Sequence, residues 1–472
     1  MDKLFKELFK KKPIELAIEE SEKTPLKRAL NSFDLILFGI GAIVGAGIFA
    51  LVGVASTFSG PAVILSFILA GLVCLFSAFS YAELSSSIPI SGSAYTYSYI
   101  AFGEFIAFLV GWNLILEYLV GNMAVAISWS AYFKTLLSNF HIYIPDWLSS
   151  SYNANLSYAP KIFNIPVVFN LPAFLIMIFI TFILLIGIKE SAKFNNFLVI
   201  LKVSILLFFV IIGFSFINTE NYKPFMPNGF GGVLTGAGLL FFAYIGFDAV
   251  STTAEEVKNP KISLPIGIIG SLLISTIIYI LVAFVLLGIL YYKHLNIADP
   301  LARALSNINL IWASSIISIG ALISTTTVLL VFQMGQSRIF LAMSRDKLIP
   351  MLFSKIHPKF KTPYISIIIC GFIVAIVSGF VDISSVAELT NIGTLFAFLI
   401  INVGVIYLRI KKQFIPVFKT PLFPLIPILG AISCFILMLS LPKITWIRFI
   451  VWLILGIFIY FLLRFVLNKK TI

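Results

Sequence analysis

Two glycine-containing stretches inside apolar segments are the parts of this sequence best suited to bind a ligand. The first, residues 39–49, reads GIGAIVGAGIF, so that four glycines interrupt a run of apolar residues. Glycine costs a helix interior about 1 kcal/mol relative to alanine, and a backbone group released inside hydrocarbon must find another partner. The stretch therefore predicts backbone exposed to a ligand. Two alternatives stay open: close helix packing through Gly41 and Gly45, and a dinucleotide loop, which the spacing disfavours.

The second stretch, residues 236–250, places Gly246 and Asp248 inside the sixth apolar segment. Two glycine-interrupted helices five segments apart are typical of transporters built from inverted repeats, which bind substrate where the helices are interrupted. The N-terminus of a half-helix attracts a carboxylate, and freed carbonyl groups accept hydrogen bonds from an ammonium group. The pair of stretches predicts a site for a zwitterionic α-amino acid.

Three ionisable residues inside apolar segments are candidates for coupling or gating, since charges within a membrane are costly. Lys202 lies in the fifth segment. Alternatively, its side chain reaches the membrane surface, because Asn196 precedes it by only about 9 Å of helix. Glu117 lies deeper in the third segment, where the alternative is a hydrogen bond between helices. Asp248 suits a gate, a partner for a cationic group, or a cap for a half-helix.

A run of hydroxyl side chains, Ser324 to Thr327, lies in the eighth segment. Such hydroxyls often bond the backbone of their own helix, so we expect part of the run to be structural and part, with Ser324 and Thr325 as candidates, to face Lys202 or an ion. No nucleophile and base arrangement, nucleotide-binding loop or metal-ligand cluster is apparent. We expect no enzyme activity, no metal and no cofactor.

The elements that must position these residues are membrane-spanning helices. The chain has 472 residues, 60% hydrophobic and 11% charged, with a mean hydropathy of +1.06. Apolar runs of about 20 residues suit α-helices, whereas the strands of a barrel would alternate polar and apolar residues. We predict an all-α polytopic membrane protein with about twelve transmembrane helices. Their approximate cores are residues 34–57, 61–85, 99–131, 168–188, 193–217, 230–253, 265–290, 309–340, 363–381, 386–409, 421–441 and 444–467.

The net charge of +13 is better explained by orientation in a membrane than by nucleic-acid binding. Loops on the same side as the N-terminus carry most of the positive residues, for example Lys258, Lys261, Arg409 and Lys411. We therefore expect a multi-pass protein of the cell membrane with both termini in the cytoplasm. The lipid bilayer is an expected partner, and nucleic acid is not.

Four segments resemble the cationic amino acid transporter branch of the amino acid–polyamine–organocation superfamily. They are GIGAIVGAGIF at 39–49, IPISGSAYTY at 88–97, FFAYIGFDAVSTTAEEVKNP at 241–260 and ELTNIGTLFAF at 388–398. The resemblance implies a leucine-transporter-like fold in which spans one to five and six to ten form a 5+5 inverted repeat, with spans one and six broken. It divides the chain into a cytoplasmic N-terminal segment at 1–30, a transporter core at 31–410, and spans eleven and twelve with a cytoplasmic C-terminus at 411–472.

The resemblance also implies roles for individual residues. The carboxylate of the substrate would contact the backbone of Ile43, Gly45, Ala46 and Gly47. The ammonium group of the substrate would contact the carbonyls of Phe242, Ala243 and Ile245. Lys202 matches a family lysine whose ammonium stands where sodium-coupled relatives hold a sodium ion, which implies proton coupling with partners between Ser324 and Thr327. Ala46 departs from a hydroxyl-bearing residue found in some relatives, so one substrate hydrogen bond is in doubt.

These expectations combine into one leading hypothesis. The chain is predicted to be a monomeric, proton-coupled secondary transporter that imports α-amino acids, cationic ones included, by alternating access. An obligate amino acid exchanger is a second hypothesis. A third comes from another class: a membrane sensor that binds amino acids without moving them. A deep acid, Glu117 or Asp248, would favour lysine or arginine as substrate unless it is engaged within the protein.

Overall fold

The computed structural model of the chain is almost entirely helical. It describes residues 8–15, 18, 19, 28, 30–90, 92–151, 159–162, 165–186, 192–360 and 362–468, so most of the predicted N-terminal segment at 1–30 lies outside the described residues. The α-helices are α1 (Ser32–Ile43), α2 (Val52–Ser59), α3 (Val63–Ser87), α4 (Ser93–Phe102), α5 (Glu104–Asn139), α6 (Leu171–Ile186), α7 (Ala192–Phe214), α8 (Gly229–Leu240), α9 (Pro260–Ile289), α10 (Pro300–Asn307), α11 (Ile311–Arg345), α12 (Tyr364–Ser378), α13 (Ile383–Ile410), α14 (Leu425–Ser440) and α15 (Lys443–Asn468). Within the described ranges, strands occur only as a short antiparallel hairpin of β1 (Lys161–Ile162) and β2 (Ile165–Pro166). The predicted all-helical class is confirmed.

Eight helical segments of the described chain are long and apolar enough to cross a bilayer. They are Gly47–Ser87, Glu104–Asn139, Asn196–Phe214, Gly229–Glu256, Pro260–Ile289, Ile311–Arg345, Ile383–Ile410 and Lys443–Phe465, and four shorter apolar helices, α1, α6, α12 and α14, accompany them. The first segment contains two helices, because Gly60 takes a φ of +62° and ends α2 before α3 begins. The chain is a polytopic membrane protein, and a count of twelve spans stays a prediction.

The first glycine-containing stretch interrupts a helix, as its composition predicts. Helix α1 begins at a capping box, in which the Asn31 side chain accepts from the Asp34 backbone N–H and the Asp34 side chain accepts from the Asn31 backbone N–H. The helix ends at Val44, whose backbone is extended, with φ −77° and ψ 100°. The chain returns to helix through a single π-helical turn, Gly47–Leu51, that leads into α2.

The second stretch is interrupted in the same way. Helix α8 passes into a 3₁₀ turn at Phe241–Tyr244, and Ile245 then turns extended with ψ 133°. Gly246 has φ +121°, a conformation that side chains with a Cβ rarely adopt, and a 3₁₀ helix follows over Asp248–Glu256. Both predicted breaks are present in the structure. The five-plus-five repeat stays a prediction.

The two breaks lie against each other, backbone to backbone. A Cβ atom added at Gly47 would lie 2.3 Å from Cα of Ala243, and one added at Gly246 would lie 2.8 Å from the carbonyl carbon of Ala42. The glycines therefore do both things that the sequence suggested: they interrupt the helices and they let the two backbones pack closely. Around the breaks, α9 packs along α1 and α3, α5 packs along α11 and α13, and α7 packs against α1.

The chain ahead of α1 lies on one end of the helix bundle, which we call the N-terminal face. Lys11 Nζ donates to the Tyr407 hydroxyl at 2.8 Å, near the end of α13. Leu30 forms a parallel bridge with Val257, through hydrogen bonds from Leu30 N to Glu256 O (3.1 Å) and from Lys258 N to Leu30 O (3.0 Å). The entrance to α1 is thereby joined to the end of the second interrupted helix.

Because the breaks are in contact, we predict that adding a Cβ atom lowers stability at Gly47 but not at Gly231. Gly47→Ala is expected to lower the free energy of unfolding by about 1–3 kcal/mol, because the new Cβ overlaps Ala243. Gly231→Ala is the matched control: nothing lies within 4 Å of its Cβ position in α8, so removing a helical glycine should cost no stability. Thermal unfolding of the two purified variants compares them. Equal melting temperatures would contradict the close approach of the breaks.

Candidate functional site

Lys202 lies in α7 with its ammonium group at the first break. Its Nζ donates to the carbonyl oxygens of Gly41 at 2.6 Å and Val44 at 3.0 Å, and the residue is only 1% exposed. These carbonyls are free because the helix ends there and its last C=O groups have no partner within the helix. The alternative in which Lys202 reaches the membrane surface is wrong, since the side chain is buried and bonded inside the bundle.

Ser324 of α11 meets Lys202 at a shared acceptor. Its hydroxyl donates to the Val44 carbonyl at 2.8 Å, so this oxygen accepts from both the hydroxyl and the ammonium group. Thr325 instead donates to the Ala321 carbonyl of its own helix at 2.6 Å, and Thr327 donates to the Ser324 carbonyl at 2.7 Å. Ser324 is therefore the hydroxyl beside Lys202, whereas the prediction that Thr325 also faces it is wrong, because the Thr325 hydroxyl bonds its own helix.

Tyr279 connects the two breaks, and sequence reasoning missed it. Its hydroxyl lies 2.9 Å from the Ile43 carbonyl and 2.8 Å from the Ala243 carbonyl, and it is fully buried in α9. A phenol carries one proton, so it donates to one of these carbonyls at a time. The available signal was a lone tyrosine in the middle of an apolar span, since a buried phenol requires a partner.

The backbone after the first break provides donors for an anion. Gly45, Ala46 and Gly47 are all buried and lie at the start of the second half-helix. The first N–H groups of a helix have no acceptor within that helix, and the helix dipole adds positive charge there. A Cβ added at Gly45 would lie 2.8 Å from Cγ2 of Val328, so α11 closes one side of this position. The arrangement suits a carboxylate.

The carbonyls of the second break are not equally available. Phe242 O accepts from the Ile245 N–H at 3.3 Å, and Ala243 O accepts from Tyr279. For the Ile245 carbonyl no donor is recorded among the described residues. Of the three carbonyls predicted to meet a substrate ammonium group, that of Ile245 is therefore the best placed to accept a new hydrogen bond.

The Asp248 side chain forms a hydrogen bond within the second break. Its Oδ1 accepts from the Gly246 N–H at 3.2 Å, and the Ser251 hydroxyl donates to the Asp248 carbonyl at 2.6 Å. The side chain is 1% exposed and begins the 3₁₀ helix. This 3₁₀ helix has no side-chain cap, so Asp248 stabilises the turn at Gly246 and does not cap the half-helix.

Asn391 of α13 is a second residue that sequence reasoning did not single out. Its Nδ2 donates to the carbonyls of Gly238 at 2.7 Å and Leu239 at 2.9 Å, near the end of α8. The residue lies within the ELTNIGTLFAF segment, so a signal was present, but its role required the contact between α13 and α8. Asn391 satisfies carbonyls that the end of the helix leaves free.

Glu117 is buried without a hydrogen bond. It is 1% exposed, and neither carboxyl oxygen has a partner within the described part of the chain. The Thr394 side chain of α13 lies close to this carboxyl but donates to the Thr390 carbonyl at 3.1 Å, so the alternative role, a hydrogen bond between helices, stays open. The Tyr81 hydroxyl and Asn113 Oδ1 are likewise buried and unpaired. A buried acid without a partner is costly in a membrane, so Glu117 stays a functional candidate.

A cavity lies between the second break and the N-terminal face. Its cavity volume is only about 40 Å3, and it is lined mainly by apolar and small residues with one cation, Arg338 of α11. Ala249 and Thr252 border it from the second interrupted helix, and Gly92 and Ser93 border it from the IPISGSAYTY segment. No group of metal-binding side chains occurs among the described residues. The site consists mainly of backbone groups beside a lysine, a serine and a tyrosine.

Comparisons with known proteins identify the family of this chain. A family model described as amino acid permease matches residues 30–463. The chain is 47% identical to a methylthioribose transporter and 46% identical to branched-chain amino acid permease BcaP, both from Bacillus subtilis (strain 168), over 96% of this chain and 97% of each relative. It is 40% identical to cationic amino acid transporter 9, chloroplastic, of Arabidopsis thaliana, over 84% of this chain and 69% of that protein.

The resemblance stated from the sequence is therefore confirmed. The matches extend over nearly the whole chain, and the relatives are named as transporters. The chain belongs to the amino acid permease family of membrane transporters, within the amino acid–polyamine–organocation superfamily.

Proposed function

We propose that this chain is a proton-coupled importer of α-amino acids that works by alternating access, with its substrate bound at the two helix breaks. One observation carries the proposal: the breaks lie in contact, and a buried lysine donates to the carbonyls of the first one. Half-helix ends at the midplane are the usual binding elements of such transporters. The proposal includes twelve spans, the five-plus-five repeat, and an N-terminal face in the cytoplasm.

The substrate is held through its main-chain groups in this proposal. Its carboxylate accepts from the N–H groups of Gly45, Ala46 and Gly47, and its ammonium group donates to the Ile245 carbonyl. A carboxylate at a half-helix N-terminus and an ammonium group at a freed carbonyl both match the local dipoles. Methylthioribose, named for one relative, carries neither group, so this chemistry favours an amino acid.

The side-chain specificity is proposed to be aliphatic. Val328 of α11 faces Gly45 directly, and Phe332 of the same helix packs against Gly121 of α5. Apolar side chains discriminate by size and shape and leave no partner for a substrate charge. The branched-chain amino acids in the name of the Bacillus subtilis permease point the same way. An unpaired Glu117 supports a cationic substrate as the second candidate.

Proton coupling is proposed to act through Lys202. When protonated, the Lys202 ammonium group donates to the carbonyls of Gly41 and Val44. These hydrogen bonds stabilise the observed conformation of the first break, next to the proposed position of the substrate carboxylate. Loss of the proton removes a positive charge and weakens both hydrogen bonds. Substrate and proton affinity are then linked reciprocally, because each ligand favours the same form of the break.

Transport by reconstituted protein tests the function itself. Proteoliposomes with an inward proton gradient and no sodium should accumulate radiolabelled leucine above equilibrium, and a protonophore should abolish the accumulation. Unlabelled valine and isoleucine should compete, whereas arginine and methylthioribose should not. Uptake that requires sodium would contradict the coupling. Uptake that requires internal amino acid identifies an exchanger, and binding without flux identifies a sensor.

Removal of the Lys202 charge is expected to separate transport from coupling. Lys202→Met should have the melting temperature of the wild type and should still exchange leucine across the membrane. Its gradient-driven accumulation of leucine should be at least about tenfold lower, which corresponds to a coupling free energy in the usual range. Lys223→Met is the control, because Lys223 is an exposed lysine paired with Glu220. Gradient-driven uptake that is equal in both variants would reject the role of Lys202.

Gly45 permits a test that separates binding from packing. Gly45→Ala should lower leucine affinity, because its Cβ narrows the carboxylate position and meets Val328. Val328→Ala makes room for that methyl group, so the double variant should regain stability but bind leucine more weakly than Val328→Ala alone, which is the control for the pocket side chain. The measurements are thermal unfolding and the shift in melting temperature that leucine produces. If the double variant recovers both, Gly45 serves only packing.

A further inference from the structure

A groove separate from the helix breaks lies on the face of the bundle opposite the N-terminal face. It runs between α5, the end of α12, the start of α13 and the start of α15, and encloses about 1250 Å3, including space open to the surface. Its walls are mostly apolar, with Met123 of α5, Phe380 after α12 and Leu389 of α13 among them. Two opposite charges, Asp382 and Arg448, lie along the same groove.

The position of the groove indicates that it opens toward lipid. Phe380 is 47% exposed although it is a large aromatic side chain. Helix α15, which forms one wall, is peripheral, since only 17% of its most apolar window is buried within the protein. A membrane protein exposes such surfaces to hydrocarbon, and the interface lies at the ends of the spans. The charges therefore lie near the level of lipid headgroups, and the apolar walls lie at the depth of acyl chains.

Asp382 is prepared to receive a cation. As the N-cap of α13, its Oδ1 accepts from the Ser384 hydroxyl at 2.6 Å and from the Ser385 N–H at 2.9 Å. The Ser385 side chain also bonds this carboxylate. A carboxylate has about four lone-pair positions on its two oxygens, so it can still accept from another donor. Partial burial raises the pKa of this carboxyl, but the hydrogen bonds outweigh it and hold the pKa below its usual range. Asp382 is thus ionised at neutral pH.

Arg448 is available to an anion. It is exposed on the second turn of α15, and its charge attracts the nearby Glu388 carboxylate, but within the described part of the chain it makes no hydrogen bond and no close ion pair. Glu388, the other acid near this end of the groove, accepts from the Thr445 hydroxyl at 2.8 Å through Oε2. A guanidinium presents five N–H donors in a planar fork, and such a fork matches a phosphate.

We infer that this groove binds one phospholipid with a primary ammonium headgroup, taken from the leaflet opposite the N-terminal face. The phosphate lies on Arg448, the ammonium group donates to the Asp382 carboxylate, and an acyl chain lies along Met123, Phe380 and Leu389. The charge pattern decides the lipid class. An anionic headgroup satisfies Arg448 but meets Asp382 with like charge, and a choline headgroup has no N–H to donate.

Headgroup pairing must supply the selectivity of this site. An acyl chain that enters the groove leaves one apolar environment for another, so it gains little from the hydrophobic effect. Charge-assisted hydrogen bonds in a partly desolvated rim are the remaining source of preference. The site is therefore expected to distinguish lipids that have identical chains and different headgroups.

Lipid titration of the purified full-length protein tests the inference. Native mass spectrometry is performed with phosphatidylethanolamine, phosphatidylcholine and phosphatidylglycerol that carry the same acyl chains. The wild type should bind one phosphatidylethanolamine more tightly than either of the others. Arg448→Gln should weaken this binding by about tenfold, as expected for the loss of a charged hydrogen-bonding partner. Lys443→Gln, another exposed cation of the first turn of α15, should leave it unchanged.

A second variant isolates the ammonium contact. Asp382→Asn keeps the ability to cap α13 and should fold, but it should bind phosphatidylethanolamine and phosphatidylcholine equally well. Three results would each overturn the inference: a preference for phosphatidylglycerol in the wild type, equal losses in Arg448→Gln and Lys443→Gln, or a phosphatidylethanolamine preference that persists in Asp382→Asn. Saturable leucine binding that disappears in Arg448→Gln would also overturn it, by assigning the groove to an amino acid.

Discussion

The cost of an unpaired backbone group in hydrocarbon is the constraint on which this structure depends. A helix that stops inside the membrane releases carbonyls at one end and N–H groups at the other, and water is absent to satisfy them. Here several freed carbonyls acquire a specific partner: Lys202 and Ser324 at the first break, Tyr279 between the breaks, and Asn391 at the end of α8. The Ile245 carbonyl has none among the described residues and is left for a ligand. These four buried polar side chains are thus explained by the interruptions that they stabilise.

The fold class and the positions of the two helix breaks could be predicted from the sequence because both depend on local composition. Long apolar runs predict helices, and glycine within them predicts interruption, which the conformations of Val44 and Gly246 confirm. The boundaries were less accurate. The predicted third span, 99–131, begins at Glu104 and continues to Asn139, because Gly103, with φ +95°, separates it from the short helix α4.

The partners within the site could not be predicted, because they depend on distances between helices. Nothing in the sequence distinguishes Ser324 from Thr325 until α11 is placed beside α1, and Tyr279 resembles any other aromatic residue of an apolar span. Lys202 shows the same limit, since the length of its side chain permitted both a surface and a buried position. The packing of α7 against α1 decided between them.

The bridge between Leu30 and Val257 has a mechanical consequence. Two backbone hydrogen bonds join the chain just before α1 to the chain just after the second interrupted helix, although more than 200 positions of sequence separate them. The two half-helices on this side of the breaks are thereby linked at their outer ends as well as at the breaks themselves. They form a closed frame, so one cannot swing away from the bundle alone. Either both tilt together as one lever, or the bridge must open first.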